Sequence, residues 1–424
     1  MPLQRLRGPG GSRRRRAGVC GARAPRAPRQ QRRRHRDRDG QKSARPERYG
    51  SVVITAPPPP PAIEQPAPAE LSFGVVSGTA AAGTTRVIVR VGTRKLADRP
   101  LRHRHFQLQV VLPPGETKVE VVTVARNGRR SSVTVQHVLG ASAPLPRPHT
   151  PHSDPLLARE IRKLAQSFGS TCAIYVENLA TGDGAAWNAR ATFPAASTLK
   201  LAIAVTALAR TEGTPRTGST LDSLLRQMLT YSDNSAANGT ERYFGGSTSG
   251  GSALVNSMMR SIGLVDTEMY GGYSLNSFGD PPRTLAGPIP LRVDSQPSWG
   301  YGKKTSAYDL ASLLRAVWLA GGGKGPLSTA QPGFSPADAR YLLYLLVHVR
   351  DPGKLDREVG RLPGVRVLHK AGWINDARHD NGIVLWRGGA AVVTVMTYRA
   401  AGLGVSSDVL AGRVAEAAVR RFRG

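Results

Sequence analysis

Hydrophobic and polar residues alternate with a period of two between residues 70 and 140. Apolar side chains recur at every second position in two runs, Val87, Val89 and Val91, and then Phe106, Leu108, Val110 and Leu112. This spacing predicts strands with one buried face, and Asn127-Gly128 between two β-rich runs predicts a tight hairpin turn. Short strands without a helical pattern indicate a small all-β, immunoglobulin-like sandwich over residues 67–141, with a spacer or binding role.

The pattern changes to helical spacing at residue 155, after a Pro-rich linker over residues 142–154. The segment "SDPLLAREIRKLAQSF" begins with capping residues and a proline, and a predicted strand pair and several helices follow it. Three predicted strands, "VRVLHKAGW", "NGIVLWRGG" and "AAVVTVMTYR", precede an amphipathic final helix. Residues 155–424 are therefore predicted to form an α/β domain in which helices cover an antiparallel sheet.

The chain of 424 residues has a formal charge of +30 that is concentrated at one end. Residues 1–48 contain 17 Lys and Arg against three Asp and Glu, a net of +14 that leaves +16 for the rest. Together with the proline run at 56–62, this composition predicts a disordered tail over residues 1–66. Such a tail could bind nucleic acid or another anionic polymer. A solvated tail, or a start codon assigned too far upstream, is the alternative that the lack of interleaved aromatic residues favours.

Cysteine and histidine usage argues against a disulfide framework or a metal centre. Only Cys20 and Cys172 occur, and the histidines of "RHRH" and "PHTPH" have no acidic or cysteine partners at ligand spacing. We therefore predict neither a metal nor another cofactor. No apolar run reaches the length of about 18 residues that crosses a bilayer, and the N-terminal arginines are not followed by the apolar stretch of an export signal.

The stretch "FPAASTLKLAIAV", residues 193–205, places Ser197 and Lys200 one helical turn apart. Apolar neighbours would desolvate the lysine, lower its pKa and make it a base for the serine hydroxyl. The helix N-terminus would add donors for a developing oxyanion. By itself, the segment is equally compatible with a serine N-cap and a lysine whose ammonium group extends to solvent.

Two further motifs follow along the chain. Ser232 and Asn234 lie in "YSDNSAAN" after a helical pattern, and Lys370 lies in "HKAGW" within a predicted core strand. A lysine in a core strand is costly unless it faces a functional cleft. Together with the Ser-x-x-Lys motif, these segments resemble the motifs of the penicillin-recognising serine enzymes, the class A β-lactamases and the D-alanyl-D-alanine peptidases. The resemblance covers roughly residues 160–424.

The resemblance implies a role for each matching side chain. Ser197 would be the acylated nucleophile, and Lys200 would accept its proton. Ser232 would relay that proton to the leaving group, and Asn234 would position Lys200 and the substrate amide. Lys370 would stabilise an anionic substrate group and the protonation state of Ser232 from across the cleft.

The resemblance also implies an oxyanion hole and substrate contacts. The backbone N–H groups of Ser197 and Trp373 would form the oxyanion hole. The implied substrate-binding residues are Asn234, Asn276, Ala371, Gly372 and Trp373. Ala371 stands where the family has Thr or Ser, so a hydroxyl that would bind a substrate carboxylate is missing. Arg378 or His379 could replace it, although solvated loop charges are the favoured interpretation of these two residues.

In class A enzymes, a glutamate four residues before an asparagine activates the deacylating water. Here Asn276 matches the asparagine, Gly272 stands in place of the glutamate, and Glu268 is the nearest acid. We therefore predict a serine hydrolase that is acylated at Ser197 by an amide, ester or β-lactam and hydrolyses β-lactams inefficiently.

Two alternatives remain open. The chain could be a non-catalytic or single-turnover relative that binds β-lactams or cell-wall peptide. It could also be an anionic-polymer-binding protein acting through residues 1–48, in which case binding would be salt-sensitive and lost on deletion of the tail. The family resemblance implies a location outside the cytoplasmic membrane, in the cell envelope or secreted.

Overall fold

Two β-sheets form the N-terminal part of the described chain. The computed structural model describes residues 57–273, 289–291, 293–299 and 302–423. Most of the predicted tail, and Asn276, lie outside these residues. The strands of this part are β1 (Ala62–Gln65), β2 (Glu70–Ser72), β3 (Val75–Thr79), β4 (Thr84–Val91), β5 (Arg94–Pro100), β6 (His105–Gln109), β7 (Gly115–Ala125) and β8 (Arg130–Gly140).

The two sheets have the strand orders β1-β3-β6 and β2-β8-β7-β4-β5. Strands β7 and β8 pair antiparallel, and Gly128 in their turn has a φ of +78°, as the predicted hairpin requires. Strand β1 lies inside the segment predicted to be disordered. It is stabilised by Ile63, which packs against an apolar core that includes Val76 and Val121. With four residues, the strand is too short to show a period-two pattern in the sequence. This part is all-β, and its immunoglobulin-like topology stays a prediction.

A six-stranded sheet forms the centre of the C-terminal part. The strands here are β9 (His152–Ser153), β10 (Thr171–Asn178), β11 (Asp183–Trp187), β12 (Thr192–Pro194), β13 (Lys304–Ser306), β14 (Arg366–Trp373), β15 (Ala377–Trp386) and β16 (Gly389–Tyr398). The sheet has the order β14-β15-β16-β10-β11-β9, while β12 and β13 form a separate ribbon. Its pairs are antiparallel except for β9 and β11. Strand β14, which carries Lys370, is therefore an edge strand.

Helices pack on this sheet in two groups. They are α1 (Pro155–Ser167), α2 (Lys200–Ala209), α3 (Thr220–Thr230), α4 (Asn234–Gly245), α5 (Thr248–Ser261), α6 (Ala307–Gly321), α7 (Pro326–Ala330), α8 (Pro336–Leu346), α9 (Asp356–Val359) and α10 (Ser406–Phe422). Helices α1 and α10 share one apolar core with the sheet, and α2, α6 and α8 share another. The predicted α/β arrangement of helices over an antiparallel sheet is confirmed.

Helix α2 is surrounded by other elements. Nine of its ten residues are buried, including Lys200 at its first position. A helix that is apolar on all sides is expected in the interior of a domain, and the sequence "LAIAVTALA" has this character. The burial of α2 places the lysine, together with the serine one turn before it, against the core.

The all-β part and the α/β part share apolar and polar contacts. Phe73 and Trp318 meet edge to face with ring centroids 4.9 Å apart. Glu70 and Arg340 form a buried ion pair of 3.0 Å between β2 and α8. The described residues all belong to one compact unit, Ala56–Gly424.

Two sequence expectations concern absences in the structure. No helix within the described ranges has the length and hydropathy needed to span a bilayer. No group of three or more His, Cys, Asp and Glu side chains among the described residues is arranged to hold a metal ion. Cys172 is a buried free thiol, and Cys20 lies outside the described residues.

Candidate active site

Ser197 lies in a short 3₁₀ turn, Ala196–Leu199, between β12 and α2. The approach to the turn is fixed by a hydrogen bond of 2.7 Å between His379 Nε2 and the carbonyl oxygen of Pro194. Ala196 has a φ of +47°, a left-handed conformation that is uncommon for a residue with a Cβ atom. Surrounding contacts must enforce such a backbone, and this kind of strain is concentrated at functional sites.

The structure separates the two interpretations of the Ser-x-x-Lys segment. At the N-termini of the 3₁₀ turn and of α2, no side chain among the described residues accepts a capping hydrogen bond. Ser197 therefore does not serve as an N-cap. Lys200 is fully buried, and its ammonium group does not extend to solvent. Neither the N-cap interpretation nor the solvent-extended lysine is therefore observed.

The ammonium group of Lys200 is held by groups at the start of α4 and just before it. Its Nζ donates to Asn234 Oδ1 at 2.7 Å and to the carbonyl oxygen of Ser232, and lies 3.3 Å from Ser232 Oγ. Burial, and then the charge of Lys370, lower the pKa of Lys200 to about 7. At neutral pH a large fraction of this amine is neutral and able to accept a proton.

Ser232 lies in the tight connection between α3 and α4, with a φ of +58°. Asp233 caps α4 by accepting from the N–H of Ala236 at 2.6 Å. The cap and the left-handed turn together bring Ser232 and Asn234 to the same lysine. The "SDN" motif therefore combines an ordinary helix cap with two side chains that contact Lys200.

Lys370 approaches the same point from the edge strand β14. Its Nζ donates to Ser232 Oγ at 2.9 Å and to the carbonyl oxygen of Ala371 at 2.8 Å. The side chain is buried, and burial lowers its pKa to about 8. Ser232 Oγ thus lies between two amines whose pKa values are both well below that of a solvated lysine.

The backbone of β14 lies against the Ser197 turn. A Cβ atom added at Gly372 would lie 2.7 Å from the amide nitrogen of Ser197 and 2.8 Å from that of Thr198, closer than any side chain fits. Ala371 is buried and supplies no hydroxyl. Trp373, the last residue of β14, is 60% exposed.

The loop expected to carry the deacylating acid instead places an aromatic ring beside Lys200. The ring centroid of Tyr273 lies 4.6 Å from Lys200 Nζ. Gly272, the residue aligned with the acid, packs on Asn238, whose Oδ1 would lie 2.7 Å from a Cβ atom at this position. Glu268, the nearest acid in sequence, forms an ion pair of 3.1 Å with Lys304.

Arg378 and His379 are not the solvated loop charges that the sequence suggested. Both lie in β15, and Arg378 forms a bidentate pair with Asp408 at 2.7 and 2.8 Å. His379 is buried, where desolvation lowers its pKa to about 4, and its imidazole bonds the backbone at Pro194. Strand β15 begins at Ala377, further towards the N-terminus than the apolar pattern indicated. Both side chains therefore bind other parts of the fold.

Three residues near the site were missed by the sequence reasoning. The Tyr273 ring centroid lies 4.6 Å from Lys200 Nζ and 5.0 Å from Lys303 Nζ, and the charge of Glu241 acts on both Tyr273 and Lys303. None belongs to a motif, and their separation along the chain gives no signal. Only the tertiary structure brings them together.

Comparison with known proteins places the C-terminal part in one family. The model of the β-lactamase enzyme family matches residues 156–214 and 210–422. A solved structure named PBP-A is 21% identical, covering 65% of this chain and 98% of its own, with a TM-score of 0.49. An ancestral class A β-lactamase is 23% identical over 63% of this chain and 100% of its own (TM-score 0.47), and the class A β-lactamase of Mycobacterium abscessus is 18% identical over the same shares (TM-score 0.47). Curated protein sequences give no significant match.

Proposed function

Because the chain belongs to the β-lactamase enzyme family, we propose that it is a serine hydrolase of the β-lactamase or penicillin-binding type, acylated at Ser197. The observation that supports this most strongly is the position of Ser232 Oγ, 3.3 Å from Lys200 Nζ and 2.9 Å from Lys370 Nζ. Three segments far apart in sequence supply this array next to the Ser197 turn. A purely structural lysine pair would not be buried side by side, because both charges lose hydration and repel each other.

Acylation begins with proton transfer from Ser197 to neutral Lys200. The serine oxygen attacks the substrate carbonyl carbon, and a C–O bond forms as the carbonyl becomes an oxyanion. The bond to the leaving nitrogen or oxygen then breaks, and the leaving group takes a proton from Ser232. Lys200 returns its proton to Ser232, which restores both groups. Lys370 as a cation orients Ser232 Oγ for this exchange.

The oxyanion would be stabilised where β14 meets the 3₁₀ turn. The close approach of Gly372 to the amide nitrogens of Ser197 and Thr198 places the backbone of the strand beside the N–H groups of the turn. The donors in the proposal are the N–H groups of Ser197 and Trp373. Fixed donors of this kind contribute about 10²- to 10³-fold to the rate of acyl transfer.

We propose that this enzyme selects less strongly for substrates with a carboxylate than enzymes that have Thr or Ser directly after the strand lysine. Ala371 has no hydroxyl, Arg378 is paired with Asp408, and His379 is buried and neutral. Within β14, Lys370 is the cation that contacts Ser232. An amide, ester or β-lactam with an apolar group against Trp373 fits this lining.

Deacylation is proposed to be slow. Tyr273 lies against Lys200 where a carboxylate would be needed to activate water, and burial raises the pKa of its phenol far above neutrality. A neutral phenol is a poor base. The acyl-enzyme should therefore be long-lived, and single-turnover binding of β-lactams is the second candidate function that this observation favours.

The test is mass spectrometry of the intact full-length protein after incubation with benzylpenicillin. We expect one added penicilloyl group on the wild-type protein and none on Ser197→Ala. Ser406→Ala, an exposed serine at the start of α10, is the matched control and should be labelled like the wild type. A time course after removal of free penicillin gives the lifetime of the adduct.

Each result has a clear meaning. Labelling of Ser197→Ala, or no labelling of the wild-type protein, would contradict a penicillin-type site. A long-lived adduct on the wild type alone supports acylation with slow turnover. Rapid loss of the adduct with release of hydrolysed penicillin would contradict slow deacylation and support an efficient hydrolase.

The proposal extends to the organisation and location of the chain. Residues 155–424 would be the hydrolase domain, residues 142–154 its linker, and residues 67–141 a spacer or binding module. A location in the cell envelope, or secretion, would suit a substrate from the cell wall. The basic segment at residues 1–48 lies outside the described residues, and binding of an anionic polymer there remains a separate prediction.

A further inference from the structure

The segment Gly271–Tyr273, which brings an aromatic ring to Lys200, is anchored at each of its residues. The carbonyl oxygen of Gly271 lies 2.9 Å from Ser252 Oγ, and that of Gly272 accepts from Lys303 Nζ at 2.7 Å. The N–H of Tyr273 donates to Asn238 Oδ1 at 2.8 Å. These three contacts set the position of the Tyr273 ring beside Lys200.

Ser252, which anchors Gly271, also contacts the buried carboxyl group of Glu241, and the two contacts together require one more proton than the serine hydroxyl supplies. Ser252 Oγ lies 2.8 Å from Glu241 Oε1 and 2.9 Å from the Gly271 carbonyl oxygen. A hydroxyl has one proton to donate, and a carbonyl oxygen can only accept. Both contacts are hydrogen bonds only if the carboxyl group carries a proton, donates it to Ser252, and leaves the serine proton for Gly271.

The surroundings of Glu241 favour that neutral form. The side chain is completely buried, and its Oε2 atom has no hydrogen-bond partner within the described part of the chain. Burial raises the pKa of Glu241 to about 7, against the opposing effects of Ser252, Lys303 and Arg242. The other group that faces it is the phenol of Tyr273, whose pKa the carboxylate charge would raise.

Glu241 lies on the same helix as Asn238 and three residues further along. Residues with this spacing share one face of a helix, so α4 presents both anchors to the segment that carries Tyr273. Helix α4 also begins with Asn234, which binds Lys200. One helix therefore holds Lys200 at its start and anchors the Tyr273 segment from Asn238, about one turn later, and from Glu241, about two turns later.

We propose that Glu241 is a positioning residue that works as a neutral carboxylic acid, donating to Ser252 so that Ser252 can hold Gly271 and thereby Tyr273 against Lys200. This rests on the proposed acylation of Ser197 for its effect on rate. Ionisation of Glu241 removes the donated proton and turns the Ser252 hydroxyl towards the carboxylate. The Gly271 carbonyl then loses its partner, and the segment loosens as pH rises through the pKa of Glu241.

The experiment compares four full-length proteins by the rate of acylation with a chromogenic β-lactam between pH 5.5 and 8.5. Glu241→Gln keeps a donor at the position of the acid proton, whereas Glu241→Met and Ser252→Ala remove the relay. At pH 6 we expect the Gln variant to stay within about threefold of the wild type and the other two to lose about tenfold, as expected for a misplaced catalytic group. The ratio of the Gln variant to the wild type should rise with pH above 7, because the amide does not ionise.

The ratio is the decisive measurement, since a merely structural role would make it independent of pH. A constant ratio, or a Gln variant as slow as the Met variant at pH 6, would overturn the proposal. Carbon-13 NMR of glutamate-labelled protein tests the neutral acid without acylation. The signal that Glu241→Gln removes should titrate near pH 7, and a midpoint near 4.5 would overturn the proposal even if Ser197 is acylated. If Ser197 is not acylated but the signal titrates near 7, the proposed function fails while the neutral acid stands.

Discussion

At the scale of single residues, the proposed chemistry depends on two buried lysines. Lys200 and Lys370 both contact Ser232, and neither reaches solvent. Burial penalises the charged form of each amine, and the charge of Lys370 further lowers the pKa of Lys200. In the proposed mechanism, the amine with the lower pKa is the base, and the other remains a cation at neutral pH.

This division predicts a bell-shaped dependence of acylation on pH. Lys200 must be neutral, so the rate should rise as pH increases through about 7. Lys370 must be charged, so the rate should fall as pH increases through about 8. Stopped-flow acylation with a chromogenic cephalosporin from pH 5.5 to 9.5 measures both limbs, which report on the pair as coupled groups.

The variant Lys370→Met tests which lysine causes each limb of the pH dependence. Lys370→Met should lower the maximal rate, abolish the alkaline limb and move the acid limb to higher pH, because the repulsion that lowers the pKa of Lys200 is gone. Lys324→Met, an exposed lysine in the loop after α6, should keep both limbs. Persistence of the alkaline limb in Lys370→Met would show that another group causes it.

At the scale of elements, the decisive contact is between the edge strand β14 and the 3₁₀ turn before α2. The turn contains Ala196 in a left-handed conformation, and the strand passes so close that position 372 has no room for a side chain. The hydrogen bond from His379 to Pro194 ties β15 to the same turn. The proposed nucleophile is thus fixed by the sheet rather than by the helix that it precedes.

The close approach predicts a large effect from a single methyl group. Gly372→Ala should push β14 away from the amide nitrogens of Ser197 and Thr198 and lower the acylation rate by about tenfold or more, because the oxyanion donors move apart. The same stopped-flow assay measures it. Gly404→Ala is the control, since nothing lies within 4 Å of a Cβ atom there. Equal rates for both variants would mean that this contact does not position the donors.

At the scale of the whole molecule, the all-β part is packed into the α/β part rather than tethered to it. Apolar residues from both belong to one core, among them Leu71, Phe73, Leu139 and Trp318. The ion pair of Glu70 with Arg340 lies inside this contact, and Arg340 also donates to the carbonyl oxygen of Gly321 at 3.2 Å. The two parts should therefore unfold together.

Loss of the buried pair tests this coupling. Glu70→Ala leaves the Arg340 guanidinium buried without its carboxylate, which should lower the free energy of unfolding by about 3–5 kcal/mol. Glu160→Ala, which breaks an exposed pair with Arg420, should change it little. Urea denaturation followed by circular dichroism and tryptophan fluorescence measures both. Two separate transitions, or equal effects of the two variants, would contradict a shared core.

Sequence alone determined the α/β arrangement, the family resemblance and the separation of an all-β segment from the rest. These conclusions depend on local periodicity and on three short motifs, which survive without knowledge of contacts. The motifs also named Ser197, Lys200, Ser232 and Lys370, but the Ser-x-x-Lys segment by itself left an N-cap as an equal interpretation. Asn276 lies outside the described residues and stays a prediction.

Tertiary structure decided what lies around those residues. It turned Arg378 and His379 from candidate anion ligands into partners of Asp408 and the backbone, and it showed strand β1 inside the predicted tail. It brought Tyr273 to Lys200 and Glu241 to Ser252, although 73 residues in one case and 11 in the other separate these pairs along the chain. Burial, proton sharing and charge repulsion depend on distances in space, which periodicity along a chain does not encode. The sequence therefore named the candidate reacting groups, and only the fold set their pKa values and their neighbours.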